Sequence, residues 1–110
     1  MARTVTIANG ESLSGAVDLE GLALARLEMP ATWTAADITF QVSHDGTTYT
    51  PYYDEAGDPI TLVVAASRTV RLPPLDWDGV RYVKVQSGTP DVPVNQGGAR
   101  TVTLHAVSRT

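Results

Sequence analysis

The sequence predicts an all-β protein, an antiparallel β-sandwich in which two sheets pack face to face. Three observations carry that prediction. Apolar and polar residues alternate with period two in residues 38–43 (ITFQVS) and 100–107 (RTVTLHAV), the pattern of a strand with one buried face. Short strand-like runs recur between Gly, Pro, Asn and Asp turn signals along the chain, as they do in sandwiches and barrels. No segment repeats its apolar residues at helical spacing over a competing length. With 110 residues the chain suits one domain, residues 1–110, because a chain of this size buries roughly two-thirds of its unfolded surface in a single core.

Taken in order, residues 4–8 (TVTIA) read as the first strand, stopped by Asn9-Gly10, and residues 13–17 as a short second one. In residues 22–28, strict alternation places Leu22, Leu24 and Arg26 on one face and Ala23, Ala25 and Leu27 on the other. Leu, Ala, Arg and Met also suit a helix; a strand is preferred because the run is short and Met29-Pro30 stops it. Residues 31–37 (ATWTAAD) form a connector with room for one helical turn. Residues 38–53 read as a β-hairpin, with Ile38, Phe40 and Val42 on one face and Thr39, Gln41 and Ser43 on the other. Asp45-Gly46 supplies the positive-φ positions of a tight turn there, and an aromatic strand follows. After the turn cluster of residues 54–59 (DEAGDP), residues 60–65 (ITLVVA) read as a strand buried on both faces.

Residues 68–72 alternate again, with Val70 and Leu72 inward, until Pro73-Pro74 ends the run. The turn at residues 76–79 (DWDG) leads into a strand over residues 80–87, and residues 100–107 form the last strand, Val102, Leu104 and Ala106 sharing one face. Between these two lies the longest irregular stretch, residues 88–98 (GTPDVPVNQGG). Its prolines and glycines exclude a regular ladder, which predicts an exposed loop with unpaired backbone groups.

Charged residues make up 18% of the chain and hydrophobic ones 43%, against roughly 25% charged in ordinary soluble domains, so Thr, Ser, Gln and Asn must cover much of the surface. Such a surface suits packing against other proteins. A net charge of −4 with a single lysine, Lys84, argues against nucleic acid, whose binding runs on clustered Lys and Arg. Without cysteine there is neither a disulfide framework nor a thiolate metal site. The start carries no basic segment followed by an apolar run, and no stretch is long enough to span a bilayer. The expectation is a protein made in the cytoplasm that leaves it only within a larger particle.

Catalytic chemistry finds no foothold in the spacing. His44 and His105 are far apart and in no ligand-like pattern, and no serine sits in a nucleophile elbow. The acidic clusters Asp54, Glu55, Asp58 and Asp76, Asp78 lack the closing glutamate of a calcium loop, and Asp is a turn former in its own right. Arg68, Arg71 and Arg81 are placed to pair with Asp76 and Asp78. Among the aromatics, Tyr49 and Tyr82 fall in strands with one buried face. Of the neighbours Tyr52 and Tyr53, one points inward and the other outward. Trp33 and Trp77 fall in connectors, where each can plug an open end of the sandwich and find an acceptor for its indole N–H. Trp33, Tyr52 and Tyr53 are the candidates for stacking on a sugar.

Two resemblances add to this reading. The succession ITFQVSHDGTTYTPYYDEAG, RTVRLPPLDWDGVRYVKVQSG and ARTVTLHAV, spanning residues 37–107, resembles the discoidin or galactose-binding-like superfamily. That resemblance implies an eight-strand jelly roll. The phrases MPATWTAADITFQVSHDGTTYTPYYDEAG and VRYVKVQSGTPDVPVNQGGARTVTL resemble small proteins encoded among the structural genes of tailed bacteriophages. This second likeness implies a virion component, such as a head decoration, head-spike base or tail accessory protein, assembled in the host cytoplasm.

Together these readings give the expectation of a non-enzymatic structural subunit, without a cofactor, that docks on other virion proteins in many copies or as a homo-oligomer and touches neither nucleic acid nor membrane. The expected contacts are the loop, through Asp91, Val92, Val94, Asn95 and Gln96, and the first strand, through Val5 and Ile7, added to the edge of a partner sheet. The alternative is a carbohydrate-binding module that meets a surface glycan through Trp33, Tyr52 and Tyr53 in host attachment.

Overall fold

A computed structural model describes residues 1–108. Eight strands form in chain order: β1 (Ala2–Ile7), β2 (Leu13–Asp18), β3 (Ala23–Glu28), β4 (Ile38–Ser43), β5 (Thr50–Pro51), β6 (Thr69–Arg71), β7 (Tyr82–Ser87) and β8 (Arg100–Val107). A 3-10 turn over Pro74–Trp77 precedes β7. The strands make two four-stranded sheets, in the orders β1-β8-β3-β6 and β2-β7-β4-β5, and every pairing is antiparallel. Pairing is nested: β1 lies beside β8, β2 beside β7, β3 beside β6 and β4 beside β5. Consecutive strands therefore alternate between the sheets everywhere except at β4 and β5.

The period-two pattern explains the core. On β8, Val102, Leu104 and Ala106 point inward and are buried, and they meet Ile38 and Phe40 of β4 with Val83 and Val85 of β7 from the opposite sheet. Trp77 is wholly buried at the end of the 3-10 turn, with Phe40 edge-on at 4.8 Å between ring centroids and Tyr52 at 5.4 Å. The Tyr52 hydroxyl donates to the carbonyl of Asp76, fixing the turn that carries the tryptophan. Tyr52 points inward while Tyr53 is exposed, as their adjacency requires.

Several expectations need correction. Strict alternation fails in β3, because Leu24 pairs with Ala106 and Arg26 with His105, leaving Ala25 as an extra, bulged residue. The bulge turns both Leu24 and Leu27 into the core and Arg26 outward. Residues 60–65 make no regular strand: only Leu62 bridges Ile38, and Val63 is 75% exposed. Composition identified an apolar run there, but the segment crosses from one sheet to the other and has no continuous partner. The connector over residues 31–37 contains no helical turn. Trp77 sits in the core and its indole N–H has no acceptor among the described residues. Arg81 pairs with Asp18 at 3.2 Å, across the sheet end and not across the turn holding Asp76 and Asp78. Tyr49 precedes β5 and lies outside any strand.

The hairpin forms, with Gln41 opposite Pro51 and Val42 opposite Thr50, but six residues (44–49) close it instead of a tight turn. Gly46 has φ +79° whereas Asp45 has no positive φ. Asp45 serves through its side chain: Oδ1 accepts from the amides of Thr47 (2.8 Å) and Thr48 (3.0 Å) and from Ser43 Oγ (2.9 Å). These bonds, the Thr48 amide first, hold its carboxyl down at about 2. The ordinary value is 3.8, so the contribution of Asp45 to stability is complete above that pH and is lost as pH falls towards about 2. An NMR titration should show the Asp45 carboxyl and the Thr47 and Thr48 amides moving together with that low midpoint, and Asp45→Asn should abolish the step. A midpoint at the ordinary value would show that the loop bonds do not persist in solution.

Candidate docking site

Gln96 draws three loops together at one end of the sandwich. Its backbone amide donates to the carbonyl of Glu11 at 2.9 Å, and its carbonyl accepts from Gly10 at 2.8 Å, which ties the β7–β8 loop to the β1–β2 loop. Its side-chain amide grips the β3–β4 loop: Oε1 accepts from the Thr34 amide at 2.8 Å, and Nε2 donates to the Thr34 carbonyl at 3.0 Å. Nε2 also donates to Ser87 Oγ at 2.7 Å, and Arg100 Nε donates to Oε1 at 3.2 Å. Every polar atom of this glutamine thus has a partner, which is what allows a side chain 1% exposed to be polar. Gln96 was expected to face a partner; it is instead the internal anchor of the loop.

The loop it anchors is ordered and largely paired, which corrects the expectation of free backbone groups. The Val94 amide donates to the Ser87 carbonyl at 2.9 Å, and the Thr89 amide to Val92 at 3.1 Å. Thr89 Oγ1 accepts from the Val92 amide at 3.0 Å. Pro90 and Asp91 occupy the two central positions of the resulting turn, where a proline's fixed φ is favourable. Gly88 closes the base: Thr39 Oγ1 donates to its carbonyl at 2.7 Å, which is why Thr39 is buried on the outward side of β4. What remains available is the tip. Asp91 and Asn95 are exposed and Val94 is half-buried, and Val92 is 66% exposed.

The first-strand residues fall differently. Val5 and Ile7 are 4% and 0% exposed because they point into the core from β1, so their side chains cannot touch a partner. The strand itself does end its sheet. The four edges are unequal: β2 is bulged between Leu13 and Ala16, β5 has two residues and includes Pro51, and β6 has three. β1 keeps unbroken register with β8 over six residues. Bulges, prolines and short length blunt an edge, and β1 carries none of them.

The sugar-stacking candidates are not brought together. Trp33 lines a shallow cleft with Ala36, Asp37, Val64 and Ala66, to which neither Tyr52 nor Tyr53 contributes, and its indole donates to the Ala36 carbonyl at 3.1 Å. Tyr52 is committed to the core. On the outer face of the other sheet, Lys84, paired with Gln41 and Ala16, holds its ammonium 4.4 Å from the Tyr49 ring centroid, a cation–π contact. Sequence reasoning did not find it, since Tyr49 meets Lys84 only once the hairpin loop folds back. Among the described residues no three His, Asp or Glu side chains gather closely enough to share a metal ion. Asp54 is a turn former here, its Oδ1 accepting from the amides of Ala56 and Asp58.

No protein-family model, curated protein or solved structure matches this chain.

Proposed function

We propose that this protein is a non-enzymatic structural subunit of a phage-like particle, docking on a protein lattice through the tip of the 88–98 loop. The observation that carries the reading is the combination at that tip: an apolar side chain, Val92, left 66% exposed on a turn held rigid from beneath by Gln96. A preordered loop loses little conformational entropy on binding, so each contact it makes counts for more. The nested strand pairing supports a jelly-roll reading, an architecture shared by capsid and lectin domains; that part of the case is analogy at the level of fold. The regular β1 edge offers a second contact through its backbone.

Purified particles from the producing cells should contain the chain in stoichiometric amount by mass spectrometry, and their lacking it would end the proposal. In the same preparation Val92→Asp should lower incorporation about tenfold, as for loss of one interface anchor, with circular dichroism unchanged. The alternative as a carbohydrate-binding module rests on exposed Tyr53, 42% accessible, and on the Trp33 cleft. Glycan-array binding lost on Tyr53→Ala would favour it.

A further inference from the structure

The turn between β1 and β2 contains Asn9-Gly10, both exposed. This is the dipeptide in which a backbone amide most easily attacks a side-chain amide, because glycine offers no side chain to hinder the approach. The Gly10 nitrogen adds to Asn9 Cγ, ammonia leaves with the side-chain nitrogen, and the resulting succinimide takes up water at either carbonyl to give aspartate or isoaspartate. Water enters, ammonia leaves, and no oxidant or other reactant is needed. Two features of this fold oppose the first step. The Glu11 amide donates to the Ala8 carbonyl at 3.0 Å, closing a turn with Asn9 and Gly10 at its centre and Gly10 at φ +81°. The attacking nitrogen itself is engaged, its N–H donating to the Gln96 carbonyl at 2.8 Å.

We propose that Asn9 is a spontaneous modification site kept closed by the Gln96 knot, so that aspartate or isoaspartate forms at position 9 when this end of the sandwich opens. Ring closure requires the Asn9–Gly10 peptide to turn its nitrogen towards Cγ, which breaks the Gly10–Gln96 bond. The reaction therefore proceeds only from the opened state, and its rate scales with the population of that state, as amide hydrogen exchange does. The mark would carry a new negative charge into the loop cluster that holds the 88–98 loop. It would distinguish molecules whose loop end has come apart from those whose loop end has stayed shut. The inference stands on the turn geometry and the Gly10–Gln96 hydrogen bond and does not depend on the docking proposal.

The test is incubation at mildly alkaline pH followed by trypsin digestion and mass spectrometry. The peptide over residues 4–26 contains Asn9 and no other Asn or Gln, so an amide-to-acid mass gain in it reports this site alone. Asp45-Gly46 and Asp78-Gly79 isomerise by the same ring without a mass change. Native protein should convert at least about tenfold more slowly than the same protein in concentrated urea, corresponding to an opening equilibrium of 1.4 kcal/mol or more. Gln96→Ala, which releases Thr34 and Ser87 and loosens the carbonyl over Gly10, should move the native rate towards the urea rate; where that variant does not fold, wild-type protein titrated through low urea provides the same comparison. Equal rates in native and unfolded protein would overturn the proposal, and so would the absence of conversion in both.

Discussion

Trp77→Ala is expected to destabilise the protein by about 3–5 kcal/mol, the range for removing a large aromatic from a well-packed core. Trp77 is fully buried and contacts two other rings, Phe40 and Tyr52, so its deletion leaves a cavity bordered by both sheets and by the turn that Tyr52 holds. Urea denaturation should show a lower midpoint with an unchanged slope, and Tm should fall by more than about 10 °C in a domain of this size. Trp77→Phe keeps an aromatic ring in the site while removing the N–H and part of the volume. The indole N–H has no acceptor among the described residues, so its removal forfeits no hydrogen bond and relieves a buried donor. The phenylalanine variant still leaves a smaller cavity where the second ring was, so it should cost about 1–2 kcal/mol, clearly less than the alanine variant. If both substitutions cost the same, the ring would not be the central packing element.

The second large effect is expected at the base of the docking loop. Gly88 has φ +87°, and a Cβ added there would lie 2.5 Å from the Val92 carbonyl oxygen and 2.7 Å from the Val94 nitrogen. An L-residue in the left-handed region costs roughly 1–2 kcal/mol on its own. The steric conflict comes on top and has no rotamer escape, since both neighbours are backbone. Gly88→Ala should therefore destabilise by about 3 kcal/mol or release the loop. Gly57→Ala is the control: its φ is +88° but nothing lies within 4 Å, so it should cost the conformational part only, about 1–2 kcal/mol. In native-state hydrogen exchange the Gly88 variant should lose protection at Thr89, Val92 and Val94 first. Equal costs for the two variants would mean that the loop does not close on Gly88 in solution.

Strands with one buried face were legible in the sequence, and segments with mixed partners were not. The alternation in β8 translated directly into burial, with Val102, Leu104 and Ala106 inward. In β4 the two faces formed as read, but Thr39 and Ser43 of the polar face are buried too and Val42 is only half-buried, because the loops that Thr39 and Ser43 bond to fold over that face. In β3 the same reasoning placed Leu27 opposite Leu24, and one extra residue at Ala25 reversed it; a bulge shifts the phase of the pattern while leaving the composition unchanged. Residues 60–65 are apolar enough for a central strand, yet apolarity cannot tell whether a segment has a continuous partner. At the candidate site, the loop was recognised by its prolines and glycines, whereas its internal order was not. Gln96 looks like any surface glutamine until the Thr34 amide and carbonyl and the Ser87 hydroxyl come within reach, and these partners come from distant parts of the chain. Val5 and Ile7 show the converse: read as contacts with a partner sheet, they are needed by the core of their own sandwich, and period-two patterning alone does not say which side of a strand a partner will meet.

Lys84 offers a practical consequence. It is the only side-chain amine in the sequence, seated midway along β7 on the outward side of its sheet and covered by the Tyr49 ring. Amine-directed dyes or crosslinkers have a single lysine to modify besides the N-terminal amine of Met1, so a tag mapped to Lys84 by peptide analysis gives a ruler anchored to one broad side of the molecule. A crosslink from that point to a neighbour would identify which broad side faces inward in an assembly, and shielding of the amine would identify the side that is covered.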